Sequence, residues 1–185
     1  LGVVGSSIGL ALQRQPGNFE IVGHDKDPYN TNLARKAGAV GRTDWNLHNA
    51  CDGASMIVLA LPLNEFRETL GHIGADLQAE TLVFMVTDVL QPALDVAAEL
   101  LPAQTHSVVG HPVLTGIGGA LTPRAALFDE ITFCVATGAT TQPEAMQLAS
   151  DLVERIGAKP RFVDPLEHDG IIAGVEQLPQ VLAAV

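Results

Sequence analysis

Basic residues are scarce: 10 Lys and Arg stand against 21 Asp and Glu, a formal net charge of −11 over 185 residues. No run of Lys or Arg offers a groove to a phosphate backbone, which argues against nucleic-acid binding. Cysteine is nearly absent. Cys51 and Cys134 sit in unrelated contexts without metal-ligand spacing, so they read as two reduced thiols of a cytoplasmic protein, with no metal centre. Long apolar runs are missing as well; residues 56–63 already include Pro62 and are far too short to span a bilayer. No signal peptide, internal repeat or low-complexity segment is visible. Aromatics make up only 4% of a chain that is 47% hydrophobic. That balance suits a sheet of Val, Ile and Leu covered by Ala- and Leu-rich helices.

Strand-like and helix-like segments alternate along the chain. Residues 19–23 read as a short strand, 29–37 as a helix entered after Asp27-Pro28 and left at Gly38, and 39–40 as another short strand. A single helical turn is expected at 47–51. Residues 54–62 form a buried strand closed by proline, with a helix at 64–70 after it; 81–88 are a further buried strand and 91–100 a helix. A short strand at 107–110 ends at His111-Pro112. A short helix is expected at 122–127 and a strand at 131–135. The helix that follows has Pro143 in its first turn and ends at Gly157. Residues 159–163 are the last strand, and Asp164-Pro165 opens a helix that holds His168 and Asp169 and turns near Pro179. This order predicts an α/β fold with a doubly wound, mostly parallel sheet. Ligands of such sheets gather at the carboxyl ends of the strands, where Asp25, Pro62, Asp88 and His111 fall.

The opening, Leu1-Gly2-Val3-Val4-Gly5-Ser6-Ser7-Ile8-Gly9, has the character of the phosphate-binding turn of a Rossmann-type dinucleotide-binding domain. Its glycines allow close approach of the backbone to a pyrophosphate, and a helix over about 7–13 would point unpaired N–H groups at it. Gly2, Val4, Gly5 and Ser6 are therefore cofactor-binding candidates. Asp25 lies 20 residues after Gly5, where a carboxylate accepts hydrogen bonds from the adenosine ribose. A carboxylate there repels a 2′-phosphate and favours NAD over NADP; neighbouring Lys26 weakens the preference. Leu61, Pro62 and Asp88 are further cofactor candidates, although Leu61 and Pro62 could equally serve only to end a strand. Gly2 and Gly5 match the second and third glycines of G-x-G-x-x-G, so the first glycine and most of the first strand are absent. A sheet without its central strand would leave backbone groups unpaired, and the expectation is an incomplete copy of a longer protein.

His111 is the candidate for chemistry. Pro112 restricts its backbone to extended conformations, which presents the imidazole from a fixed strand end. An imidazole titrates near neutrality and can take a proton from an alcohol as hydride leaves the same carbon. His24, His48, His72 and His106 read as structural or merely polar. His168 and Asp169 could orient a substrate or cap their helix; capping and interdomain packing are the plainer roles.

In order, Gly2-x-x-Gly5-Ser6-Ser7-Ile8-Gly9, Gly23-His24-Asp25, Val86-Thr87-Asp88, Gly110-His111-Pro112, Ala126-Leu127-Phe128, Glu167-His168-Asp169 and Leu178-Pro179 resemble the prephenate and arogenate dehydrogenases along nearly the whole chain. The resemblance implies a dinucleotide-binding domain over 1–165 and, over 166–185, the start of a helical dimerisation domain that completes the active site of a homodimer. It implies NAD-dependent oxidation of the ring hydroxyl of prephenate or arogenate, coupled to loss of the ring carboxylate as CO₂, a step of tyrosine biosynthesis. His111 would hydrogen-bond the ring hydroxyl and draw off its proton. Gln91 stands in the place of the serine that usually assists the catalytic histidine. Thr115, Gly116, Gln177 and Gln180 are the substrate-binding candidates, the last two replacing histidines, and Glu176 adds a carboxylate nearby. A negative charge beside a bound carboxylate costs affinity unless a cation intervenes. Two further readings follow from these replacements: a related dehydrogenase acting on another hydroxy acid, and a non-catalytic NAD-binding sensor.

Overall fold

The computed structural model describes residues 1–17, 19–114 and 121–178, with the backbone alone for 176 and 177. Inside its main sheet lies strand β4 (Leu82–Val86), five apolar residues buried on both faces. Such a run is what an interior parallel strand requires, because helices cover the sheet on both sides. Successive side chains of a strand point to opposite faces. Leu82, Phe84 and Val86 accordingly enter one core, with Ile8 and Ala11 of helix α1 (Val3–Gln13) and Ala149, Leu152 and Val153 of α6 (Pro143–Arg155). Val83 and Met85 enter the other, with Phe66 and Leu70 of α4 (Leu63–Ile73) and Ala93 and Ala97 of α5 (Gln91–Leu100). Each large side chain so buried contributes on the order of 1.5–3 kcal/mol.

The main sheet runs β3 (Met56–Ala60), β4, β5 (His106–Pro112), β6 (Thr132–Thr137), β7 (Lys159–Phe162), and every pair is parallel except β5 with β6. This is the doubly wound α/β sheet the sequence implies. A separate parallel pair, β1 (Val22–Gly23) and β2 (Arg42–Thr43), flanks α2 (Pro28–Lys36). Among the described residues no strand precedes α1. The Leu1 side chain instead fills, with Val40, the space a side chain at Gly23 would take, and Gly5 lies against Ala60, so α1 starts between the two sheets.

Several segments differ from their sequence patterns. Helix α1 begins at Val3, four residues before the expected start, because the turn itself is helical. The apolar pair Ala39-Val40 is not a strand: both residues are buried in a small core with Ala34, and the ladder to β1 forms two residues later, at Arg42 and Thr43. No helix forms over 122–127; residues 125–130 are turns, and Glu130 adopts a positive φ of 64° with its N–H on the Gly157 carbonyl. The expected turn α3 (Leu47–Cys51) is present. Helix α7 (Pro165–Ile172) carries His168 and Asp169 and continues as a π-helical segment, Ala173–Gln177. The expected turn at Pro179 lies outside the described residues. Among the described residues no helix is long and apolar enough to cross a membrane.

Candidate functional site

In a parallel sheet the strand ends converge on one edge, and here they enclose a cleft of about 500 Å³. Its walls are the start of α1 (Gly2, Val3, Val4, Gly5), the end of β3 with Leu61 and Pro62, the end of β4 with Thr87 and Asp88, and His111, Pro112 and Leu114. Six of the eight cofactor-binding candidates, Gly2, Val4, Gly5, Leu61, Pro62 and Asp88, thus meet around one space together with His111. Helix α1 presents its N-terminus there without a side-chain cap and without an acidic residue in its first turn. Its unpaired N–H groups and the positive end of its dipole suit an anion.

Two cofactor candidates stand apart. Ser6 is buried, and its hydroxyl donates to the Leu1 carbonyl at 3.0 Å, so it secures the turn from behind and does not line the cleft. Asp25 follows β1 and accepts hydrogen bonds from the Asp27 N–H and the Asn30 amide.

His111 is buried near the carboxyl end of β5, one residue beyond the Gly110–Val86 pairing. Its Nδ1 lies 3.1 Å from Nε2 of His168, with the rings edge to face at 83°. His168 Nδ1 in turn lies 2.9 Å from Oδ1 of Asp169. That carboxylate accepts the backbone N–H groups of Leu90 (2.7 Å) and Gln91 (2.9 Å) at the start of α5. A line of polar contacts therefore runs from the cleft to a helix N-terminus, linking β5, α7 and α5. The local reading of Asp169 as a cap on its own helix is corrected: it caps α5, and Asp164 caps α7 through the Glu167 N–H.

Gln91 does not take the serine's place beside His111. At the first position of α5 its side chain donates to Asp95, one turn on, at 2.7 Å, and His168 occupies the position next to the imidazole. The signal for His168 and Asp169 was present as Glu167-His168-Asp169, but a motif does not show which distant element it meets. Thr115, Gly116 and Gln180 lie outside the described residues, as does the side chain of Gln177. The other histidines have partners away from the cleft: the Asp44 carbonyl for His24, and Asp76, Glu68 and Glu80 for His48, His72 and His106. Among the described residues no cluster of His, Cys, Asp and Glu could hold a metal ion.

Fold and cleft together define a nucleotide-binding α/β domain. Residues 8–161 match the family described as prephenate dehydrogenase, nucleotide-binding domain, and the chain belongs to that family. The prephenate dehydrogenase of Bacillus subtilis (strain 168) is 26% identical over 100% of this chain, which covers 50% of that protein. The chain thus spans about half the length of the curated relatives it matches. Similar folds occur in the Aquifex aeolicus prephenate dehydrogenase in complex with hydroxyphenyl propionate and NAD+ (TM-score 0.88, 20% identity, 98% of this chain and 64% of that one). The Synechocystis arogenate dehydrogenase is another (TM-score 0.83, 22% identity, 97% and 63%).

Proposed function

We propose that this chain is the NAD-binding and catalytic part of a dehydrogenase that oxidises the ring hydroxyl of prephenate or arogenate with loss of the ring carboxylate, in tyrosine biosynthesis. The observation that carries the reading is the position of His111, which lines the same cleft as Asp88 and the uncapped start of α1. The cleft suits the cofactor: Gly2 and Gly5 keep the backbone bare of side chains where phosphates approach, and the apolar walls at Leu61, Pro62 and Leu114 suit flat rings. NAD supplies the hydride acceptor. Asp25 repels a 2′-phosphate, which supports NAD over NADP; the exposed Lys26, paired with Glu65 at 2.7 Å, weakens that preference without reversing it.

In this reading His111 accepts the proton of the substrate hydroxyl as its carbon loses hydride. The bond from the ring to the carboxylate then breaks, CO₂ departs, and its electron pair enters the ring, which becomes aromatic. Thr115, Gly116, Gln177 and Gln180 remain the proposed substrate contacts. A dianionic substrate also needs a cation, and among the described residues the cleft lining holds Asp88 but no Lys or Arg. We assign that cation to a helical dimerisation domain beginning near residue 166. The exposed Leu166, Ile171, Val175 and Leu178 along α7 and its extension support a helical partner surface and a homodimer. A cytoplasmic setting fits the two free cysteines. That the described lining of the cleft carries Asp88 and no cation also favours a second reading, a related enzyme for a less charged hydroxy acid. Calorimetric binding of NAD and NADP, beside initial rates with prephenate, arogenate and a panel of hydroxy acids, separates the two.

A further inference from the structure

The contacts from His111 to Asp169 fix more than position. A carboxylate that already accepts two backbone N–H groups has no proton to give, so the 2.9 Å contact is a donation from His168 Nδ1–H to Asp169 Oδ1. A neutral His168 then carries its lone pair on Nε2. With His168 neutral, the 3.1 Å contact is a donation from His111 Nδ1–H to His168 Nε2, and the lone pair of a neutral His111 lies on its Nε2. Both rings are more than nine-tenths buried, at 7% and 6% exposure, so water cannot easily substitute for either contact.

We propose that His168 and Asp169 are positioning residues that hold His111 in the Nδ1–H tautomer, with Nε2 as the basic nitrogen, and that the start of α5 anchors this setting through the Leu90 and Gln91 N–H groups. The role given by resemblance to the residue at position 91 passes to His168. Its Nε2 accepts from His111 where a Gln91 side chain committed to Asp95 does not reach. A proton arriving on His111 Nε2 stays there; Nδ1–H remains on His168, and the new positive charge faces the Asp169 carboxylate through the intervening ring.

The inference rests on the dehydrogenase reading for its kinetic consequence but not for its structural one, and the test uses both. In the intact protein, ¹⁵N NMR of the His111 ring should show Nδ1 protonated and Nε2 unprotonated in the wild type, and loss of that pattern in His168→Ala. His168→Gln places an amide oxygen where Nε2 stands and should keep it. With substrate, His168→Ala should lower kcat by on the order of 10²-fold, leave NAD affinity within about twofold, and be rescued at least about tenfold by His168→Gln. Asp169→Asn should shift the tautomer in the same direction as His168→Ala. A wild-type His111 protonated on Nε2, or a folded His168→Ala variant with unchanged kcat, overturns the proposal; so does a folded His168→Gln variant no better than Ala. Should the wild type turn over none of the substrates offered, the dehydrogenase reading fails, and the NMR pattern alone decides the positioning role. Should His168→Ala not fold, His168→Gln and Asp169→Asn decide it.

Discussion

Gly9 packs against the backbone of Ala39 so closely that a Cβ at Gly9 would stand 2.1 Å from the Ala39 carbonyl oxygen. Ala39 is fully buried beside β1, and neither it nor the helix has room to move aside. This contact sets the depth at which α1 lies, and so where its N-terminus meets the cleft. Helix propensity favours alanine over glycine by about 1 kcal/mol. Overpacking against fixed backbone costs about 1–3 kcal/mol, and so short an approach belongs at the upper end. Gly9→Ala should therefore destabilise the protein by about 2 kcal/mol in urea unfolding. An unchanged midpoint would show that α1 is free to shift.

Asp25 should be felt in cofactor choice. Its carboxylate is oriented by the Asp27 N–H and the Asn30 amide. Asp25→Asn removes the charged acceptor for the ribose and should weaken NAD binding by roughly tenfold while narrowing the gap to NADP. Calorimetric titration with the two cofactors measures both. Equal loss for NAD and NADP would place the adenosine ribose elsewhere.

Cys51 offers a probe of the second core. Burial, followed by the charge of Asp76, pushes its thiol from 9.0 up to about 11. At pH 8 the folded chain then holds roughly 100-fold less thiolate than the unfolded one, and alkylation by iodoacetamide should slow in proportion. A raised pKa in the folded state means that only the unfolded chain releases the proton between pH 9.0 and about 11. Stability should accordingly fall as pH rises through that window. Mass spectrometry of the Cys51 peptide after native and denatured labelling checks the first point. Labelling at equal rates would contradict the burial.

Much of the architecture was legible because its signals are local. Leu82 to Val86 is apolar without alternation, as a strand covered on both faces must be, and Pro28, Pro143 and Pro165 all mark helix starts. Ala39 and Val40 misled because burial, not strand pairing, accounts for their apolar character. The site divides in the same way. His111 could be found from a strand end followed by proline. The role of Asp169 could not, since its donors are backbone N–H groups 79 and 78 residues away, and backbone groups carry no sequence signal. Gln91 misled for a related reason: its chain position matches a useful place in the fold, but a partner one helical turn away, Asp95, captures its side chain.

The central claim is that His111 is the base of a dehydrogenase site. It is tested most directly by the initial rate of NAD reduction with prephenate and with arogenate, in the wild-type protein and in His111→Ala. The account predicts turnover of at least one substrate, a loss of about 10²–10⁴-fold in kcat for the variant, and NAD affinity nearly unchanged. Turnover that survives in His111→Ala, or NAD binding without turnover of either compound, would contradict it.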